Sequence, residues 1–385
     1  MEFSKVTQFL DSLYKIGIPG ADLAIYLKGN EVYRHQTGMA DIEAQKPISA
    51  ETIYQFYSMT KPVTCVSAMR FYEDGIFKLD DPLYEYLPEY KHMEIRETLD
   101  NGEIRTRPAE NPIRIVDLFT MTSGLTYNYQ TNLQEMGKNT NGNYTLKEFS
   151  EALAKDPLYF EPGTRWEYGL SHDVLGRLIE VLSGKTLGEY FHDNIFAPLG
   201  MVDTFFRLPK EKENRMVTCY KYDEETKTHI KPDINPLRYD LDFKYESGGG
   251  GLLSTVDDYA KFANALCAGG TGANATSTYY YRILGSATID LMRTNHLSES
   301  KMKNYSGTWR HHSGYGYGLG VRTMVDKAAG GSNSSIGEYG WSGMLGTFVL
   351  IDPAYDLTYV YAQQLNPSKE DHVAPRLRNV IYGCL

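Results

Sequence analysis

Apolar residues recur at helical spacing from the start of the chain. Phe3, Val6, Phe9, Leu10 and Leu13 alternate with Glu2, Lys5 and Asp11, which predicts an amphipathic helix packed on a domain rather than a signal peptide. Ile18-Pro19-Gly20 breaks that pattern. Residues 21–27 then read as a strand, Gly29-Asn30 as a hairpin turn and residues 31–35 as the returning strand. A short apolar and aromatic run covers 53–57. From Ser58 the spacing turns helical, with Val63, Val66, Met69 and Phe71 apolar and Gly75 at the end. Pro62 falls in the first turn, where backbone N–H groups have no intrahelical partner and proline costs little.

The stretch from Asp80 to about Thr276 reads as mainly helical and loop-rich. One helix is predicted over 171–182, with Val174, Leu175, Leu178, Ile179 and Leu182 on one face, Ser171 as its cap and Gly184 beyond its end. A second is predicted over 187–196, and a third after Ser254-Thr255 with Tyr259, Phe262 and Leu266. Strand patterns return at 315–322, 347–351 and 357–363, with Asp352-Pro353-Ala354-Tyr355 joining the last two. A final helix is predicted over 374–382. There is no internal repeat and no low-complexity tract.

Strands, then a long helical insert, then strands predict an α/β (α+β) fold. One antiparallel sheet is built from both chain ends and flanked by helices, with a mostly helical lobe beside it. The expected domains are 1–80 with 277–385 for the sheet and 81–276 for the helical lobe, with a ligand in the crevice between them.

Composition narrows the function. A net charge of −10 argues against nucleic acid or an anionic membrane as partner. No run of 18 apolar residues occurs, so no membrane span is expected, and with no signal peptide the cytoplasm is the expected location. Cys65, Cys219, Cys267 and Cys384 are far apart and form no C-x-x-C pair, so neither a zinc site nor a disulfide framework is predicted. His311-His312 lies in a Ser/Gly/Tyr-rich stretch and reads as a solvated loop rather than a metal site.

Ser58-Met59-Thr60-Lys61 fits S-x-x-K, as do Ser12/Lys15, Ser298/Lys301 and Ser300/Lys303. Ser12 lies inside the first helix, and the last two overlap in a polar stretch that reads as a loop. Only Ser58 stands at a strand-to-helix junction. There the unpaired N–H groups and the positive end of the helix dipole can stabilise a developing oxyanion. The i+3 spacing puts Lys61 on the same face one turn later. A serine hydroxyl needs a base to become a nucleophile, and a lysine, alone or with a tyrosinate, can serve.

The stretch Tyr54-Gln55-Phe56-Tyr57-Ser58-Met59-Thr60-Lys61-Pro62-Val63-Thr64, with Glu73-Asp74-Gly75 and Leu79-Asp80-Asp81-Pro82 behind it, resembles the serine β-lactamase and penicillin-binding-protein superfamily. It is most similar to family VIII carboxylesterases and class C β-lactamase-like enzymes. Further blocks resemble that family in order: Met121-Thr122-Ser123-Gly124-Leu125, Tyr168-Gly169-Leu170 with Asp173-Val174-Leu175-Gly176, Pro198-Leu199-Gly200-Met201, Gly250-Gly251-Leu252-Leu253-Ser254-Thr255, and Gly340-Trp341-Ser342-Gly343 with Asp352-Pro353. The resemblance spans roughly residues 18 to 365.

It implies Ser58 as nucleophile, Lys61 and Tyr168 as the paired base and acid, and an oxyanion hole from the backbone N–H groups of Ser58 and Met344. It implies no metal or organic cofactor. Leu170, Trp341, Ser342 and Gly343 would contact substrate. Leu170 replaces the family asparagine and can make no hydrogen bond to an amide side chain. Trp341 replaces the lysine of K-T-G and removes a charge that would attract a substrate carboxylate, as in the esterase and acyltransferase members. Met121 replaces a histidine at a position expected to be structural. The expected activity is therefore a carboxylesterase or transesterase acting on a small-molecule ester through an acyl-enzyme. The alternatives are an amide-directed β-lactamase or D-amino-acid peptidase, and a catalytically silent binding protein. The polar segment from Asn128 to Asn143 is expected to help cover the cleft.

Overall fold

The computed structural model describes residues 1–128, 131–232, 239–273, 280–308 and 310–385. The chain opens with α1 (Ser4–Ser12), followed by β1 (Gly20–Leu27), β2 (Asn30–Asp41) and β3 (Lys46–Pro47). Next come α2 (Thr60–Glu73), α3 (Ser171–Ser183) and α4 (Val256–Cys267). Five strands follow: β4 (Tyr315–Tyr317), β5 (Arg322–Met324), β6 (Tyr339–Ser342), β7 (Phe348–Asp352) and β8 (Leu357–Ala362). The last helix is α5 (Glu370–Tyr382).

The strands form one eight-stranded sheet in the order β4-β5-β6-β7-β8-β1-β2-β3, antiparallel throughout. The predicted sheet from both chain ends is thus closed by β1 against β8, with Leu23 opposite Tyr361 and Leu27 opposite Leu357. The two-residue period of a strand sorts the core. Leu23 and Ile25 face Val6, Leu10, Leu377 and Ile381 of α1 and α5, whereas Ala24 and Val360 belong to the main core with Ala260 and Ala263 of α4. Covered on both faces, β8 is buried at every residue and apolar or aromatic except at Thr358, whose hydroxyl donates to Asn264.

Several boundaries moved for physical reasons. The second strand runs on to Asp41, through Gln36-Thr37-Gly38-Met39-Ala40, where no apolar alternation announces it. The run 315–322 is two strands, β4 and β5, turned by Gly318-Leu319-Gly320, with Gly320 at φ +84°. Ser171 does not cap α3. Leu170 is the N-cap residue, and the Ser171 hydroxyl is committed instead to Ser123 at 2.8 Å. The stretch around Ser298 and Ser300, read as a loop, leads into the helix Glu299–Thr308. Within the stretch 81–276, Glu94–Thr98 pairs with Ile104–Pro108 as a hairpin. The stretch also contains α4, which packs on β8, β7 and β1 and so covers the sheet. Amphipathic spacing shows that a helix has an apolar face, not which surface that face will cover.

Candidate active site

The backbone turns sharply into α2. Tyr54–Gln55 pairs with Leu253–Ser254, and Tyr57 then takes φ +45°, a left-handed conformation that is strained for a tyrosine. Ser58 follows in a single 3-10 turn, half-buried, at the head of the helix. Lys61 is fully buried one turn on, and its Nζ lies 3.1 Å from Ser58 Oγ. The i+3 relationship read from the sequence therefore holds in space.

The glycine tract 248–251 closes over this first turn. Thr64 donates to the Gly248 carbonyl at 2.7 Å, Lys61 to the Gly249 carbonyl at 2.5 Å, and the Leu252 N–H to Thr60 Oγ1 at 3.0 Å. Only glycine fits at 248, where a Cβ would stand 2.5 Å from the His172 carbonyl.

Tyr168 comes from the other side of the cleft, just before α3. The Lys61 ammonium lies 4.6 Å from the centre of its ring. Gly169 makes this possible, since a Cβ there would lie 2.0 Å from the Leu125 carbonyl, and the bridge between Thr126 and Gly169 sets the two segments edge to edge. The same bridge brings in Tyr127, a residue the sequence reading did not select. Its hydroxyl is 3.5 Å from Lys61 Nζ and its ring centre 5.7 Å from that of Tyr168. Ser58, Lys61 and Tyr168 thus share one environment.

Burial opposes the charge on Lys61, but Tyr127, Tyr168 and Asp173 outweigh it, so the lysine holds its proton more tightly than in water. Burial, then the Lys61 charge, push the neighbouring His172 down to about 3, so its ring is neutral.

Of the remaining expected residues, Trp341 is both wall and core. It lines the cavity, yet it is 2% exposed and packs against Tyr168, Tyr317 and His312. Its indole N–H donates to the Tyr168 oxygen at 3.4 Å. Leu170, Ser342, Gly343 and Met344 line the same cavity. The need for glycine at 343 comes from the protein itself rather than from a ligand, because a Cβ would meet the Phe56 carbonyl at 2.3 Å. Met121 is fully buried in the aromatic cluster around Trp166, Tyr305 and Tyr317, a structural position.

The cavity encloses about 1000 Å³. Its far wall is aromatic: Tyr144 and Phe149 pack on Tyr245 with ring centres 5.0 Å apart in each case. Leu133, from the helix Thr131–Asn139, lines it too. The described part of the segment from Asn128 to Asn143 therefore contributes to the wall, while residues 129–130 lie outside the described residues.

His311-His312 is not a solvated loop: His312 is 3% exposed, against Trp341 and Tyr305. Donor atoms of His311, His312 and Glu370 lie within 4.8 Å of one another. The charges of Arg322 and Arg378 act on His312, and guanidiniums so close oppose a further cation. Among the described residues no helix is long and apolar enough to cross a membrane.

The profile of the Beta-lactamase family matches residues 4–382. The chain is 29% identical over 358 residues to an uncharacterized protein of Mycobacterium tuberculosis, covering 91% of this chain and 86% of that one. It is 26% identical over 401 residues to the esterase EstB of Burkholderia gladioli, covering 97% and 93%. Among solved structures, EstCE1, described as a hydrolase with promiscuous acyltransferase activity, superposes with a TM-score of 0.79 at 24% identity, covering 99% of this chain and 98% of that one.

Proposed function

The chain belongs to the Beta-lactamase family, and from that premise we propose that it is a carboxylesterase or transesterase that forms an acyl-enzyme on Ser58 from small, uncharged esters. The observation that carries this reading is the 3.1 Å approach of Lys61 Nζ to Ser58 Oγ, at the floor of a largely apolar cavity and beside Tyr168.

In the proposed reaction the Ser58 hydroxyl gives its proton to the Tyr168 oxygen, acting as phenolate beside the charged Lys61, as Oγ bonds to the ester carbonyl carbon. The negative carbonyl oxygen is held by the backbone N–H groups of Ser58 and Met344, both on the cavity lining. When the tetrahedral species collapses, the carbon–oxygen bond to the alcohol breaks and Tyr168 returns the proton to the departing oxygen. Water, or a second alcohol, then attacks the acyl-enzyme by the same route in reverse. The charged Lys61 keeps positive charge beside the oxygens that exchange the proton.

Substrate preference follows from the walls. Trp341 stands where a lysine would attract a carboxylate, and Leu170 where an asparagine would hold an amide side chain. Both favour an apolar acyl group. The esterase EstB and the hydrolase EstCE1 are relatives whose names fit this chemistry.

Short p-nitrophenyl esters and a chromogenic cephalosporin, with mass spectrometry of the trapped intermediate, provide the test. Rapid ester turnover with an acyl adduct on Ser58 is expected. Efficient cephalosporin hydrolysis with negligible ester turnover would replace this reading by an amide-directed one. Failure of a fluorophosphonate probe to label Ser58 would point to a silent binding protein.

A further inference from the structure

We propose that Asp173 is a positioning residue for Lys61, acting through Gly249, whose N–H it holds and whose carbonyl accepts from the lysine. The proposal rests on the reading of Ser58 and Lys61 as the reacting pair.

Asp173 is 2% exposed in the first turn of α3, where the helix dipole favours a carboxylate. One of its oxygens, Oδ1, accepts three hydrogen bonds: from the Tyr245 hydroxyl at 2.8 Å, the Ser247 hydroxyl at 2.6 Å and the Gly249 N–H at 3.2 Å. The Gly249 carbonyl in turn accepts from Lys61 at 2.5 Å. A Cβ on Gly249 would stand 2.4 Å from the other carboxylate oxygen, so this approach requires glycine.

A lysine ammonium sits on a flexible stem with three rotatable donors, and only fixed acceptors can hold it in one place. Here one acceptor is Ser58 Oγ. The Gly249 carbonyl is the second; it belongs to the following peptide plane, and the carboxylate that grips the Gly249 N–H anchors the residue that carries it. The other end of the gripped peptide, the Gly248 carbonyl, is held by the Thr64 hydroxyl, so the segment is pinned on both sides just before the acceptor. Asp173 contributes further by its charge, which favours the protonated lysine. Tyr245 takes part twice, as a donor to Asp173 and as a wall of the cavity.

The test is Asp173→Asn in the full-length chain, with three measurements: steady-state turnover of p-nitrophenyl acetate, the rate of fluorophosphonate labelling of Ser58, and the pH dependence of both. The proposal expects kcat and labelling to fall about 10- to 100-fold, the effect of losing a charged hydrogen bond, with KM changed less than about twofold. It also expects the limb of the pH profile that titrates with Lys61 to move to lower pH, because a negative neighbour has been removed. A purely structural carboxylate would lower the melting temperature and leave that limb in place. Wild-type labelling rate and pH profile in folded Asp173→Asn would overturn the proposal. If that variant does not fold, Tyr245→Phe combined with Ser247→Ala decides, since it loosens the carboxylate without removing it. A fall in labelling supports the proposal, and an unchanged rate overturns it. Labelling of wild-type Ser58 separates the two claims. A labelled wild type with an indifferent Asp173→Asn sinks only the positioning role, whereas an unlabelled wild type sinks the reading beneath it.

Discussion

The indole N–H of Trp341 points at the phenolic oxygen of Tyr168 from 3.4 Å, so the residue that lines the cavity also orients the tyrosine beside Lys61. Trp341→Phe keeps most of the wall and removes this donor. Loss of one neutral hydrogen bond, about 1 kcal/mol, predicts a five- to tenfold fall in kcat for p-nitrophenyl acetate with little change in KM. A kcat within experimental scatter of wild type would show that the indole serves only to fill space.

The two phenols near Lys61 are not equivalent. Tyr127 reaches it at 3.5 Å, the outer limit of a hydrogen bond, whereas Tyr168 lies under the ammonium and receives the indole donor. Tyr168→Phe is expected to cut turnover at least about 100-fold, in the range of a lost general acid or base, and Tyr127→Phe less than about fivefold. Equal losses in the two variants, measured side by side on one ester, would mean that the roles are shared or reversed.

Gly169 is the point of closest backbone approach in the cleft wall. Gly169→Ala forces a methyl to within 2.0 Å of the Leu125 carbonyl, against backbone that has no rotamer to escape into. The variant should lose about 1–3 kcal/mol in urea unfolding, with activity falling further than stability because both tyrosines move. Retained activity with intact stability would show that the two strands can part without cost.

His172 gives stability a pH dependence of known sign. In the folded chain burial and the Lys61 charge hold it at about 3, while in the unfolded chain it titrates near its ordinary 6.5. Between those values the unfolded state binds the extra proton. The contribution is therefore fully present above pH 6.5 and is lost as pH falls toward 3, at about 1.4 kcal/mol per pH unit. His172→Gln removes the titrating group, so its urea midpoint should fall less steeply between pH 6.5 and 4 than that of the wild type. Parallel slopes would rule the imidazole out as a source of acid sensitivity.

The chemistry was easier to read from the sequence than the environment around it. Ser58 and Lys61 could be seen because an i+3 pair at a strand-to-helix junction is local. The sheet could be anticipated because β7 and β8 are short apolar runs around a turn. Asp173, Tyr127 and Gly249 were missed for one reason: each acts on Lys61 through a contact made by distant chain, and no periodicity marks it. The tract 248–251 was the available clue, since four successive glycines signal that other backbone comes very close. His312 was misread because a polar neighbourhood in sequence became an aromatic one in space. Ser171 matched a cap by residue type, but its hydroxyl found Ser123.

The pairing of β1 with β8 also governs the order in which a ribosome could deliver a working enzyme. The serine and lysine are translated early, but the tryptophan behind the tyrosine lies on β6, and β1 has no partner on that side until Leu357 arrives opposite Leu27. Long-range strand pairing of this kind is slow to form. The nascent chain therefore carries Ser58 and Lys61 through most of synthesis before Trp341 and the closed sheet behind it can complete the cavity.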